Sequence, residues 1–102
     1  MEKYRVFVKS PAKQDLREVR LRCEKFDKAN AQKFVKGFYS SIKTLEVFPL
    51  TGISLQRINY LLKEYRFLKY NDYAIVYKIK ENVVYIERLY HFARDLTRLE
   101  LG

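Results

Sequence analysis

The chain has 102 residues, of which 48% are hydrophobic, so it is long enough for one domain with a single core and too short for two. Its formal net charge of +9 favours polyanions, acidic proteins or anionic membranes as partners and says little about the fold. The single cysteine excludes an internal disulfide framework. No apolar run approaches the roughly 20 residues of a membrane-spanning helix, and the N-terminus lacks the apolar segment of a signal peptide. We therefore expect a soluble, cytoplasmic protein.

The N-terminal quarter of the chain predicts a strand followed by a helix. Residues 4–9 form a short run rich in β-forming residues. Ser10 supplies a hydroxyl suited to a helix N-cap, and Pro11 follows in the first helical position. Apolar residues then recur at spacings of four and three, which predicts a helix over about 11–26 with one buried stripe. The stripe consists of Ala12, Leu16, Val19, Cys23 and Phe26.

A second helix is predicted before Pro49. Cap-forming residues at 27–30 interrupt the first pattern, and a second apolar stripe follows. Gly37 lies inside this helix and weakens it by about 1 kcal/mol relative to Ala, unless a close contact requires a bare backbone there. The stripe consists of Ala31, Phe34 or Val35, Phe38, Ile42 and Leu45. The short connection predicts an antiparallel helical hairpin that covers a sheet.

The sheet is predicted from residues 64–92, which form three runs rich in Tyr, Ile, Val and Phe separated by Asn beside an acidic residue. This pattern predicts a three-stranded antiparallel meander. Both the odd- and the even-numbered residues of the middle strand are apolar. The face of the sheet away from the helices is therefore either partly covered by the loop and tail or forms an aromatic-lined concave surface. We interpret residues 50–62 as a loop, and Leu96, Leu99 and Leu101 as a terminal turn that packs on the sheet.

The last predicted strand carries the residues best suited to chemistry. His91 is the only histidine, and imidazole can act as an acid or a base near neutral pH, although a structural role at a strand end explains it equally well. Arg94 is either an ion-pair partner of Asp95 or a phosphate ligand. Strand alternation separates His91 from Arg88 unless a bulge intervenes. No metal site is expected, because one histidine and one distant cysteine make no zinc set.

Several landmarks in chain order resemble the RelE/ParE superfamily of toxins from bacterial type II toxin–antitoxin modules. The landmarks are Ser10-Pro11-Ala12 with Asp15-Leu16, Leu45 with Phe48-Pro49 and Gly52, Glu64 to Leu68, Tyr73 to Tyr77, and His91 to Asp95. The resemblance spans nearly the whole chain, and it implies a single domain over residues 1–102. It also implies an α+β fold in which an N-terminal strand, a helical hairpin and the meander place two helices on one face of a four-stranded sheet.

The resemblance implies two different activities. RelE-like members cleave mRNA inside the ribosome through attack of a ribose 2′-hydroxyl on the phosphate, whereas ParE-like members inhibit DNA gyrase without an enzymatic reaction. Our leading hypothesis is the ribosome-dependent endoribonuclease. The gyrase inhibitor is the alternative, and a third possibility is a toxin of weakened activity that keeps its antitoxin contact. A cognate antitoxin, in a hetero-oligomeric complex, is the expected partner, together with ribosome and mRNA or with gyrase; no cofactor is expected.

The resemblance also implies roles for individual residues. His91 matches a histidine of YoeB-like nucleases that takes part in proton transfer, while Arg94 and Arg66 match cations that act on the phosphate. The remaining candidates, expected to contact nucleic acid, are Lys69, Tyr65, Tyr73, Phe92 and Arg98. Two positions depart from the nuclease pattern. Ala74 stands where RelE-like and YoeB-like enzymes carry an arginine, and Phe92 lacks the hydroxyl of the matching tyrosine.

Overall fold

The computed structural model describes residues 3–95, except for the side chains of Ala93 and Arg94. Within that range, no helix is long and apolar enough to cross a membrane. Short 3₁₀ turns lie between α2 and β3. The helices and strands, in chain order, are β1 (Arg5–Val8), α1 (Ser10–Glu24), α2 (Lys28–Lys43), β2 (Ile53–Ser54), β3 (Tyr65–Tyr70), β4 (Tyr73–Lys80), β5 (Val83–His91) and α3 (Phe92–Asp95).

The strands form one mixed sheet in the order β1-β5-β4-β3-β2. β1 pairs in parallel with β5, while β3, β4 and β5 form the predicted antiparallel meander. The α+β class is confirmed, but the predicted count of four strands is wrong because the sheet has five. The extra strand is β2, which pairs Ile53 with Phe67 and Ser54 with Arg66. Two residues are too few to show an alternating pattern, so the stretch was interpreted as loop.

α2 begins within the predicted cap-forming stretch and ends before Pro49, whereas the predicted bounds of α1 are shifted. Asp27 caps α2, since its carboxylate accepts hydrogen bonds from the backbone N–H groups of Ala29 and Asn30. The N-cap of α1 is Lys9, because its carbonyl already accepts a hydrogen bond from the N–H of Lys13. Ser10 is therefore the first helical residue and not the cap. Phe26, predicted to be buried, is 91% exposed because α1 ends before it.

Two apolar clusters lie on opposite faces of the sheet. We call the face beneath α1 and α2 the helix face; there the buried stripes of both helices pack on Ile75, Tyr77, Val84, Ile86 and Leu89. We call the other the outer face. Leu55 and Leu62, from the 3₁₀ turns, cover part of it above Phe67, Val76 and Tyr90. This confirms the loop part of one of the two interpretations, for part of the outer face; the predicted terminal turn with Leu96, Leu99 and Leu101 lies outside the described residues.

Gly37 is explained by a strand residue that passes close beneath α2. The hydroxyl of Tyr70 donates a hydrogen bond of 2.8 Å to the carbonyl of Phe34, and the Tyr70 ring lies 5.0 Å from the Phe34 ring, centroid to centroid. A Cβ on residue 37 would overlap the Tyr70 hydroxyl and lie 2.9 Å from the ring carbon Cζ. The bare backbone therefore lets β3 and α2 approach, which outweighs the low helix propensity of glycine.

We expect Gly37→Ala to lower the free energy of unfolding by about 1–3 kcal/mol, because the added methyl group overpacks this contact. The gain in helix propensity, about 1 kcal/mol, acts in the opposite direction. Tyr70→Phe removes the closest atom, so the loss should be smaller when Gly37→Ala is made in that background. Urea unfolding of the two single variants and the double variant measures the coupling. An equal loss in both backgrounds would contradict the steric explanation.

Candidate functional site

The structure divides the predicted site residues between the two faces of the sheet. Arg66, Tyr73 and His91 lie on the helix face, since they share strand parity with its buried residues. Tyr65, Lys69 and Phe92 lie with the apolar cluster of the outer face. The side chain of Arg94, and the whole of Arg98, lie outside the described residues. The described candidates therefore do not form one site.

A β-bulge in β5 sets which side chains reach each face. Val76 pairs with Arg88 while the next residue, Tyr77, pairs with Ile86, so Glu87 is the extra residue. The bulge reverses the alternation: Val84 and Ile86 before it share the helix face with Leu89 after it. His91 therefore lies on the helix face together with Leu89. Arg88 lies beside Tyr90, with its guanidinium carbon 5.0 Å from the Tyr90 ring centroid.

Two carboxylates bind the edge of β5 where β1 no longer pairs with it. The last backbone hydrogen bond between the β1 end of the chain and β5 runs from the Lys9 N–H to the Ile86 carbonyl, at 3.0 Å. Beyond it, the N–H of Leu89 donates to Asp15 at 2.9 Å, and the N–H of His91 donates to Asp95 at 2.8 Å. These bonds satisfy edge groups that a neighbouring strand would otherwise occupy, and they fix both α1 and α3 against β5.

Asp15 also holds Arg88 in a two-point ion pair. Nε of Arg88 lies 2.8 Å from one carboxylate oxygen, and the second nitrogen lies 3.0 Å from the other. These hydrogen bonds raise the pKa of Arg88 above its ordinary value. The guanidinium is therefore committed to Asp15. Sequence reasoning missed this pair, and no local signal could have found it, since 73 residues separate the partners.

His91 packs against an aromatic group at the end of the sheet. Its ring lies 5.2 Å from the Tyr73 ring in an edge-on arrangement, and Tyr73 lies at the same 5.2 Å distance from Phe34 of α2. The cleft beside this strand end has a volume of about 450 Å³. Its described lining includes Asp15, Glu18 and Asp95 and only the two cations Arg22 and Arg88. Its formal charge is thus negative, which disfavours a phosphate.

Arg66 lies at the other end of the helix face, where it binds a loop. Its guanidinium donates to the carbonyl of Gly52 at 2.8 Å and to that of Leu50 at 3.4 Å. Its cross-strand neighbour Tyr77 holds the same loop, because its hydroxyl donates to the Pro49 carbonyl and accepts from the Gly52 N–H, both at 2.8 Å. Burial raises the pKa of Tyr77 above its ordinary value. These four contacts tie the loop to β3 and β4.

The pairing register places Arg66 far from His91. On β4, Arg66 is opposite Tyr77 and His91 is opposite Tyr73, so four residues separate the two positions, about 13 Å along the strand. The two side chains also stand on strands that flank β4 on opposite sides. A proton-transfer group at His91 and a cation at Arg66 therefore cannot act on one phosphate in this structure.

The outer-face candidates form a separate aromatic group. Phe92 packs on Phe67 with the ring centroids 5.6 Å apart, and Nζ of Lys69 lies 5.8 Å from the Phe92 ring centroid. Lys69 pairs across the strands with Ala74, the position where the nuclease pattern has an arginine. Ala74 is 0% exposed, so a long cationic side chain has no room at this position in the present packing.

An exposed apolar belt follows α2 and contains no predicted site residue. Within residues 3–95, eleven large apolar side chains are exposed, and seven of them fall in this short segment. The belt consists of Val47, Phe48, Leu50, Ile53, Ile58, Tyr60 and Leu61. Single exposed apolar residues are ordinary, but a grouped set of this kind is typical of an interaction surface. The sequence alone gave no sign of it, because these residues show no periodicity.

Comparison with known proteins agrees with this architecture. A family model described as the ParE toxin of the type II toxin–antitoxin system parDE matches residues 6–96. A solved structure described as the chromosomal ParDE TA system from P. aeruginosa aligns with a TM-score of 0.72 over 87% of this chain and 96% of that chain. The identity is 15%, so this likeness shows a shared fold. None of the curated protein sequences matches the chain.

The contacts of Asp15 predict a clear loss of stability in Asp15→Asn. The change removes the charge that pairs with Arg88 and leaves a weaker acceptor for the Leu89 N–H, so we expect a loss of about 1.5–3 kcal/mol in chemical unfolding. Glu24→Gln is the matched control, because the Arg20–Glu24 pair is more exposed and longer, at 3.8 Å. The control should change stability by less than about 0.5 kcal/mol. Similar losses in both variants would refute the role of Asp15.

Proposed function

This chain belongs to the ParE toxin family of type II toxin–antitoxin systems, and from that premise we propose that it inhibits DNA gyrase by binding rather than by catalysis. The observation that carries the proposal is the division of the described nuclease candidates between two faces of the sheet. A nuclease needs a base or acid and phosphate-binding cations around one reacting group. An inhibitor that acts by binding needs only a stable surface.

Three features of the strand end support binding over cleavage. His91 packs against Tyr73 and lies beside a cleft whose described lining is net acidic. Arg66 uses its guanidinium to hold the loop at Gly52, far from His91. Ala74 replaces the arginine that the nuclease pattern requires and is fully buried. Together these features leave the described part of the helix face without an assembled phosphate site.

Ribosome-dependent mRNA cleavage is the competing function. The formal charge of +9 favours an RNA-lined cavity as much as a gyrase–DNA complex, so charge does not separate the two functions. The role of His91 does separate them. Cleavage through proton transfer at His91 requires the imidazole, whereas gyrase inhibition requires only that the strand end keep its fold.

The first experiment compares the wild type and His91→Ala in two assays. In DNA supercoiling by purified gyrase, we expect both proteins to inhibit at concentrations within about threefold of each other, provided that thermal unfolding shows the variant to be folded. In primer extension on mRNA in purified translating ribosomes, we expect an intact message with both. New cuts at the codon awaiting decoding, produced by the wild type and lost in His91→Ala, would establish the nuclease instead. Absence of gyrase inhibition by the folded wild type would also overturn the proposal.

We assign the apolar belt to the antitoxin. An antitoxin must bind the toxin tightly, and apolar side chains that are exposed in the free protein supply the area that such an interface buries. The belt is adjoined by Arg57 and Lys63, and Nζ of Lys63 lies 5.1 Å from the Tyr60 ring centroid. An amphipathic antitoxin segment with acidic residues beside its apolar face fits this surface in shape and charge.

Leu61→Ser tests this assignment. Leu61 is 84% exposed, so its replacement should leave the fold intact. Loss of a leucine that is buried on binding should weaken the complex with the cognate antitoxin about tenfold or more, as measured by isothermal titration calorimetry. Leu21→Ser, at an exposed leucine on α1 outside the belt, is the control and should change the dissociation constant less than about threefold. Equal effects of the two changes would exclude the belt as the antitoxin site.

A further inference from the structure

One row of side chains crosses the outer face of the sheet, and only its Tyr65 end packs against the cluster that the turns cover. The pairing register places Phe7 opposite Tyr85, Tyr85 opposite Lys78, and Lys78 opposite Tyr65. We call these four residues the outer-face row. Adjacent strands are about 4.8 Å apart, so the row extends about 14 Å across β1, β5, β4 and β3. Three of its four members are aromatic.

The row is held in place by contacts among its own members and one neighbour. The rings of Phe7 and Tyr85 meet edge-on with centroids 6.0 Å apart. Nζ of Lys78 lies 5.6 Å from the Tyr65 ring centroid, and Nζ of Lys9 lies 5.8 Å from that of Tyr85. Each tyrosine is thereby in cation–π contact with a lysine. The row is thus a set of oriented aromatic faces alternating with positive charge.

Phe7, Tyr85 and Lys78 lie beyond the apolar cover of the outer face, whereas Tyr65 packs against the covered cluster. Leu55 and Leu62 pack on residues nearer the other end of the strands, including Ala74 and Tyr90. Phe7, in contrast, is 54% exposed. A groove of about 410 Å³ beside it is lined by residues of β1 and β5. An aromatic ring that no part of the described chain covers is available to a partner.

The charge around the row is positive. Arg5 and Lys80 flank Val83 in the next cross-strand row, about 7 Å from the first. Lys78 lies within the outer-face row itself. Lys9 is neutralised by Glu87, since its Nζ lies 3.0 Å from the carboxylate. Three cations therefore remain beside the aromatic groups, in positions where phosphates of a strand stacked on the row can be reached.

We propose that the outer-face row binds a single-stranded nucleic acid, whose bases stack on Phe7, Tyr85 and Tyr65 while its phosphates contact Arg5, Lys78 and Lys80. Open sheet faces that combine aromatic platforms with lysine and arginine bind single strands in this way, with little dependence on sequence. A row of about 14 Å accommodates two or three bases. The proposal does not depend on the proposed gyrase inhibition.

An acidic peptide is a second ligand that positive charge alone would attract, but the aromatic row favours a nucleic acid. A peptide carboxylate would use only Arg5, Lys78 and Lys80, and it would leave the rings of Phe7 and Tyr85 without a function. Nucleobases present flat π-faces to all three rings. The contribution of the rings is therefore the quantity that distinguishes a nucleic-acid site from a merely basic surface.

The test is fluorescence anisotropy of labelled dT10 and U10 with the intact protein, at low and at physiological salt. We expect Phe7→Ala to weaken binding about 5- to 150-fold at both salt concentrations, since each stacked base is lost with its ring. Phe26→Ala removes an exposed phenylalanine outside the sheet and should have no effect. Lys78→Gln should weaken binding and reduce its salt dependence, whereas Lys36→Gln, an exposed lysine on α2, should do so less. Tighter binding of dT10 or of U10 identifies DNA or RNA as the natural strand.

Three results would overturn the proposal. In the first, Phe7→Ala and a second ring variant, Tyr85→Leu, leave binding unchanged while the lysine variants weaken it. This result would show charge attraction alone. The second is duplex DNA bound as tightly as dT10, since paired bases cannot stack on the row. The third is a decamer of glutamate that displaces dT10 at a similar concentration, which would make the surface an acidic-peptide site. Circular dichroism of each variant confirms that it is folded before binding is measured.

Discussion

The carboxylate of Asp15 closes the edge of β5 where β1 ends, and the placement of α1 against the strand end depends on it. It accepts the Leu89 N–H and forms a two-point ion pair with Arg88. α1 is thereby anchored across the sheet edge, while Asp95 of α3 binds the next exposed N–H, that of His91. The edge is satisfied by side chains instead of a further strand, which also removes a template for unwanted strand pairing.

The bulge at Glu87 has a functional consequence, because it decides which residues share a face with His91. Leu89 and Tyr73 do so, whereas Arg88 and Tyr90 project toward the other side. Arg66 shares the face but lies at its far end, where it holds a loop. Among the described residues, the residue types of a nuclease are thus present without the geometry of one. The proposed inhibition by binding requires no such geometry.

Two tyrosines show how the sheet fixes the segments that surround it. Tyr70 reaches the backbone of α2 beside Gly37, and Tyr77 reaches the loop beside Gly52. In both places a side chain at the glycine would collide with the tyrosine ring. These contacts position α2 and the start of the apolar belt relative to β3 and β4.

The sequence by itself determined the order of β1, the two long helices and the meander, the buried stripe of α2 and the cap-forming stretch before it, because each depends on local periodicity or on a short-range hydrogen bond. Residues such as His91 and Arg66 could be named as candidates from type and resemblance alone. Only the tertiary structure decided which candidates meet, because the bulge, the parallel pairing of β1 with β5 and the Asp15–Arg88 pair join residues distant in the chain. Long-range pairing leaves no periodic signal in the sequence. A one-residue bulge moves every later side chain of the strand to the opposite face of the sheet.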